Sequence, residues 1–142
     1  MPITLEQARK IAETSLAKGR EMGLKPLSVV VLDERGSVVT CQSEDGVSQM
    51  RWRIAHGKAN AAIAIGLGTR ALMGRAEQQA YFIQAMNGLA GGDFVPVPGG
   101  VLVCDSSGAL VGAVGISGDT SDNDEAAVLA GIAAVGLVGE TG

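Results

Sequence analysis

The stretch Gly99–Asp124 reads Gly-Gly-Val-Leu-Val-Cys-Asp-Ser-Ser-Gly-Ala-Leu-Val-Gly-Ala-Val-Gly-Ile-Ser-Gly-Asp-Thr-Ser-Asp-Asn-Asp. An apolar run, Val101 to Cys104, meets a polar turn from Asp105 to Gly108. A second apolar run, Ala109 to Ile116, follows. This is the pattern of a β-hairpin with a longer, Gly-containing loop. Gly112 and Gly115 fall inside the second run, where a missing side chain marks a bulge or a close approach of other backbone. Ser117-Gly118-Asp119-Thr120 is turn chemistry, and a helix follows. Ser121 with Asp124 makes an approximate capping box, and Asp122, Asp124 and Glu125 load its first turn with negative charge. A strand, a Gly-rich turn and a helix N-terminus often cradle an anion. Three carboxylates there would repel a phosphate, so a tight turn into a capped helix is the simpler reading.

An earlier stretch matches this hairpin. Val29-Val-Val-Leu-Asp-Glu-Arg-Gly-Ser-Val-Val39 is again an apolar strand entering a four-residue turn that ends in Gly. Strands are expected at about Leu27–Asp33 and Ser37–Gln42. Short loops join only antiparallel neighbours. The two ribbons therefore predict one meandering antiparallel sheet. The continuous apolar run of the first strand implies cover on both faces.

Between the ribbons, Ser48 to about Ile65 reads as an alanine-rich helix. Ala55, Ala59 and Ala62 share a face, with Trp52 and Ile63 on one flank and Arg51 and Lys58 on the other. Small residues let a helix lie close to a sheet. Lys58 then sits at the rim of the packed face, either as a snorkelling side chain or as a ligand or active-site lysine. Arg53, His56 and Asn60 form a separate polar arc.

The remaining elements follow from caps and breakers. Thr4 and Gln7 form a capping box before an amphipathic helix that Gly23 and Pro26 close. Gly66 to Gly74 is loosely patterned, and Arg75 to Met86 reads as a helix. Pro96 and Pro98 keep Asp93 to Gly100 out of a ladder. The last helix, about Asp122 to Leu137, is apolar all round, which implies burial on every side with a subunit interface as the second cover.

The chain has 142 residues, 46% apolar and 18% charged, with 21 glycines and 3% aromatics. That length suits a single domain spanning 1–142. Low charge on a small domain predicts a homo-oligomer. The net charge of −4 argues against nucleic-acid binding. All 11 Lys and Arg lie in residues 1–75, which carry net +4; residues 76–142 carry −8. No apolar run spans a membrane and no signal peptide is evident, so a cytoplasmic protein with no membrane role is expected. Cys41 and Cys104 have no metal spacing and read as two buried free thiols.

Several words taken together resemble the GlcG/HbpS family over about residues 4 to 137. They are Val-Val-Val-Leu-Asp at 29–33, Ala55 with Lys58-Ala59, Pro98-Gly99-Gly100, Val111 through Gly118, Asp124-Glu125 and Ala130-Gly131. The resemblance implies an α+β fold: a profilin-like antiparallel sheet of about five strands flanked by helices, in the order α-β-β-α-α-β-β-α, assembled into dimers or rings. It also implies a small-molecule ligand. Some family members look like haem-binding proteins, one type is the C-terminal domain of PduO-type proteins, and others sit beside small-acid catabolic enzymes. This chain departs in its one histidine, His56, which stands where a small or aliphatic residue is expected. If haem binds through histidine, His56 is the metal ligand.

Two functions are consistent with these residues. In the first, a Gly-lined groove holds haem or another planar carboxylate ligand. Arg51, Arg53 or Lys58 pairs with its carboxylates, and Gly99, Gly100, Ser117 and Gly118 line the groove. In the second, the chain is an isomerase, tautomerase or hydrolase acting on a small organic acid. Lys58 or His56 is its acid/base, Asp119 the acidic partner, and the backbone N–H groups near Gly99-Gly100 or Ser117-Gly118 its oxyanion donors. Ser117 lacks the flanking pattern of a nucleophile elbow.

Overall fold

A computed structural model describes residues 2–142. In chain order the elements are α1 (Leu5–Glu21), β1 (Ser28–Asp33), β2 (Val38–Ser43), α2 (Arg51–Ile65), α3 (Thr69–Gln78), α4 (Ala80–Leu89), β3 (Gly100–Cys104), β4 (Leu110–Ser117), α5 (Ser121–Ala133) and β5 (Val138–Glu140). The strands form one sheet in the order β2-β1-β4-β3-β5, every neighbouring pair antiparallel. Both hairpins lie in this one layer, as expected. The sheet is not a meander, however: β1 pairs with β4, so the two ribbons are joined along their inner strands. Burial explains the choice. Val29 to Leu32 are all withdrawn from water, whereas β2 is half exposed and takes an edge. Each such Val or Leu contributes on the order of 1.5–3 kcal/mol when wholly buried.

Alternation along the strands separates two cores. Val29, Val31, Val114 and Ile116 face α1 and α5, where Ile11, Ala12, Val128 and Ile132 close the layer. Val30, Leu32, Leu102 and Ala113 face α2 and meet Ala55, Ala59 and Ala62. Gly100 and Gly115 are partners across β3 and β4 on the α2 side. A Cβ on Gly115 would overlap the Ala55 carbonyl oxygen, and one on Gly100 the Lys58 carbonyl oxygen. The alanine face of α2 thus rests on bare sheet backbone.

Several local expectations are corrected. The loosely patterned segment after Gly66 already contains α3, and the helix expected at 75–86 is two helices broken at Gln79, whose φ of −138° and ψ of 60° leave the helical region. Thr69 sets the start of α3: its hydroxyl donates to the Gly100 carbonyl at 3.1 Å and accepts from the Gly100 N–H at 2.8 Å. The last helix stops at Ala133 instead of reaching Leu137, because the chain reverses through Gly136 at φ 73° and returns as β5 along β3. Its cap is Thr120, not Ser121, with the Asn123 N–H donating to the Thr120 hydroxyl at 3.3 Å. Within one chain this helix leaves Leu129 and Ala133 exposed, the side for which a subunit interface is expected as cover. Cys104 is a buried thiol, but Cys41 is exposed on the uncovered edge strand β2. The capping box at Thr4 and Gln7 is present.

Candidate functional site

Lys58 is not a rim lysine. It projects from α2 toward the end of β4 and is 2% exposed. Its Nζ donates to the Ile116 carbonyl at 2.9 Å and to Asp124 Oδ2 at 3.1 Å, and Asp124 is itself 1% exposed. Burial pulls the Lys58 pKa below its ordinary value, and the Asp124 carboxylate counters that pull. The second Asp124 oxygen accepts the Asp119 N–H at 3.0 Å, so the acid is held at both ends.

Glycine makes room for this pair. Gly99 has φ 116°, and a Cβ there would lie 2.8 Å from Lys58 Nζ and 2.9 Å from the Ile116 carbonyl oxygen. Its own carbonyl accepts the Ile116 N–H at 2.9 Å. The Gly100 N–H is taken by Thr69, so it offers nothing to an oxyanion.

Asp119, the acid expected beside Lys58, has other duties. Its carboxylate accepts the Lys25 N–H at 3.0 Å, the Thr120 N–H at 2.8 Å and the Asn123 side-chain amide at 2.8 Å. These donors, the Asn123 amide foremost, pull its pKa down to about 2. The carboxylate that meets Lys58 is that of Asp124.

The other candidate residues divide between two hollows. Arg51 donates to the buried Ser117 hydroxyl at 3.2 Å. Arg51 and Gly118, with Lys25, Pro26, Val47 and Ser48, line a hollow of about 200 Å³ at the N-terminal end of α2. Arg53 and His56 stand on the outer side of α2 in a separate cleft of about 320 Å³, closed by Val38, Trp52 and Asp93. His56 makes no side-chain hydrogen bond among the described residues. A hollow of about 760 Å³ beside α1 and Val135 holds none of the candidate residues. The described residues contain no group of three or more His, Cys, Asp or Glu side chains placed to hold a metal ion.

Sequence reasoning missed Asp124 as the lysine partner, Thr69 as the clamp on Gly100 and Lys25 as a wall of the smaller hollow. A signal for the first was present. Thr120 is a better cap than Ser121 by its place after the turn, and with Thr120 capping, Asp124 moves one residue deeper and is free to turn inward.

These features define a profilin-like α+β sandwich whose open clefts flank an alanine-faced helix. The chain belongs to the HbpS-like family: the model described as haem degrading protein HbpS-like matches residues 3–133. Among solved structures it is similar to HbpS, at 27% identity over 96% of this chain and 92% of that one, with a TM-score of 0.82. A PduOC–haem complex shares the fold at a TM-score of 0.86 and 19% identity, over 97% of this chain and 98% of that one. The Klebsiella pneumoniae protein ORFY does so at 0.82 and 23%, over 92% and 88%. No curated protein matches the sequence. Among the described residues, no helix is long and apolar enough to cross a membrane.

Proposed function

We propose that this chain binds haem in the cleft of Val38, Trp52, Arg53, His56 and Asp93. One observation carries the reading: the chain's single histidine stands in that cleft with no hydrogen bond to hold it among the described residues, and an exposed indole and a guanidinium line the same cleft. The set fits the group. Imidazole is an axial ligand for haem iron. Trp52 offers a flat apolar face to a porphyrin. Arg53 matches a propionate, and Asp93 would turn propionates toward the Arg53 side by repulsion. Haem held there supplies a redox-active iron. The description of the matching family model and the haem-bound PduOC relative support the same ligand.

The catalytic alternative draws no comparable support. Lys58 is sealed from solvent, Ser117 is buried under Arg51, and the Gly100 N–H is already bonded. The test is a titration of the purified chain with hemin. The expected result is a Soret band that saturates at one haem per chain and shifts in His56→Ala. A band that never saturates overturns the function; one that ignores His56→Ala overturns the ligand.

We also infer that copies of the chain associate through α4. This helix buries none of its residues and bears no charge, and Tyr81 and Leu89 are 71% and 82% exposed. An uncharged apolar helix of this kind meets no like-charge repulsion from its own copy.

A further inference from the structure

The hollow around Arg51 is unused by the haem reading and shares no lining residue with the His56 cleft. Three separate pieces of chain build it: Lys25 and Pro26 before β1, Val47 and Ser48 before α2, and Gly118 at the end of β4. Two of its walls are cationic and none is acidic.

Three of the acids nearby are committed elsewhere, and a fourth, Asp45, faces another hollow. Asp119 accepts three donors, as described. Glu44 accepts the Leu27 N–H at 2.8 Å and pairs with Arg20 at 2.9 Å. Asp124 is closed against Lys58. Asp45 lines a neighbouring hollow with Arg20 and Ser43. Arg51, by contrast, has no carboxylate partner among the described residues, although it is half-buried. Its one side-chain bond, to the Ser117 hydroxyl, uses a single donor of a five-donor fork. Among the described residues the guanidinium makes no other hydrogen bond, so its remaining donors are free. Lys25 and Ser48 line the same hollow.

We propose that this hollow binds a compact oxyanion, a carboxylate or phosphate group carried by a small molecule. A planar guanidinium takes two oxygens of such a group at once, and the ammonium adds a point charge. The volume of about 200 Å³ matches a small acid. The site is independent of haem.

The test is a titration of the full chain with sodium acetate and, separately, inorganic phosphate, followed by amide and Arg Nε–H NMR at constant ionic strength with chloride as the balancing anion. Saturable shifts are expected at Val47, Ser48, Gly118 and Arg51. Arg51→Gln should weaken binding roughly tenfold or more, because it removes charge-assisted bonds. Lys25→Gln, at an exposed position that will not disturb folding, should weaken it by less. His56→Ala should leave it unchanged, which separates this site from the haem cleft. Saturation by acetate alone identifies a carboxylate site, by phosphate alone a phosphate site, and by both a general oxyanion site. No saturable shift with either anion, shifts that chloride reproduces, or shifts indifferent to both Arg51→Gln and Lys25→Gln overturn the proposal.

Discussion

Lys58 and Asp124 meet at 3.1 Å with almost no water on either, and the pair ties α2 to the first turn of α5 around the end of β4. Removing one partner strands the other's charge in the interior, which costs about 3–5 kcal/mol, whereas replacing both by apolar residues is often neutral. Asp124→Ala is therefore expected to lose about that much stability, and Lys58→Met with Asp124→Leu to recover most of it. Urea unfolding of the three proteins reads the difference. Equal losses in the single and double variants would mean that the pair is not the source of the effect.

Asp119 gives the fold an acid-sensitive contact. Its pKa falls from 3.8 to about 2 on folding, so between those values the unfolded chain binds more protons than the folded one. The contribution is complete above 3.8 and drains away as pH drops toward 2. Asp119→Asn should thus be less stable than the parent near neutrality, with the gap closing as the pH approaches 2. Unfolding midpoints measured across that range check it, and a gap independent of pH would contradict it.

Two glycines with opposite surroundings make a paired prediction. Gly115→Ala drives a methyl group into the Ala55 carbonyl, a backbone atom that cannot swing away, and should cost about 3 kcal/mol. Gly74 lies inside α3 with nothing within 4 Å of a new Cβ, so Gly74→Ala should gain about 0.5–1 kcal/mol. Thermal melts of the two variants should move in opposite directions.

In the cleft proposed for haem the three side chains would have separable duties. Trp52→Ala and Arg53→Ala should each speed hemin loss several-fold, measured by transfer to an acceptor globin, while leaving the Soret position in place. His56→Ala should move the band. A shifted band in Arg53→Ala would assign the iron contact wrongly.

Light scattering tests the proposed self-association through α4. The chain is expected to elute heavier than one copy at micromolar concentration, and Leu89→Glu with Tyr81→Glu to lower the mass toward a monomer. A parent already at the mass of one chain refutes the interface.

Much of this architecture is written in local patterns. The paired ribbons were legible because each alternates apolar and turn residues over a short span, and the alanine face of α2 because its period is helical. The partnering of β1 with β4 was not, since it depends on contacts between residues more than seventy positions apart, such as Val31 and Val114. Strand β5 escaped because three residues, Val138 to Glu140, are too few to show alternation. Lys58 was placed on the correct side of α2 but at the wrong depth. Helical spacing gives a direction around the axis, and only the glycines at 99, 100 and 115 tell how closely the sheet approaches it. The ligand residues read as one set fell into two hollows because Arg51 and Arg53 lie on different sides of one helix.

The seam between β1 and β4 also bears on how the protein is made. Strand β1 is made before its inner neighbour β4, which ends at Ser117, so Val29 to Leu32 wait without their native cover while the residues between are synthesised. Such long-range pairing slows folding and leaves nascent apolar chain open to aggregation. A ribosome-bound chaperone would find its principal substrate in that waiting ribbon, and a chain stalled before residue 110 would have no sheet to complete.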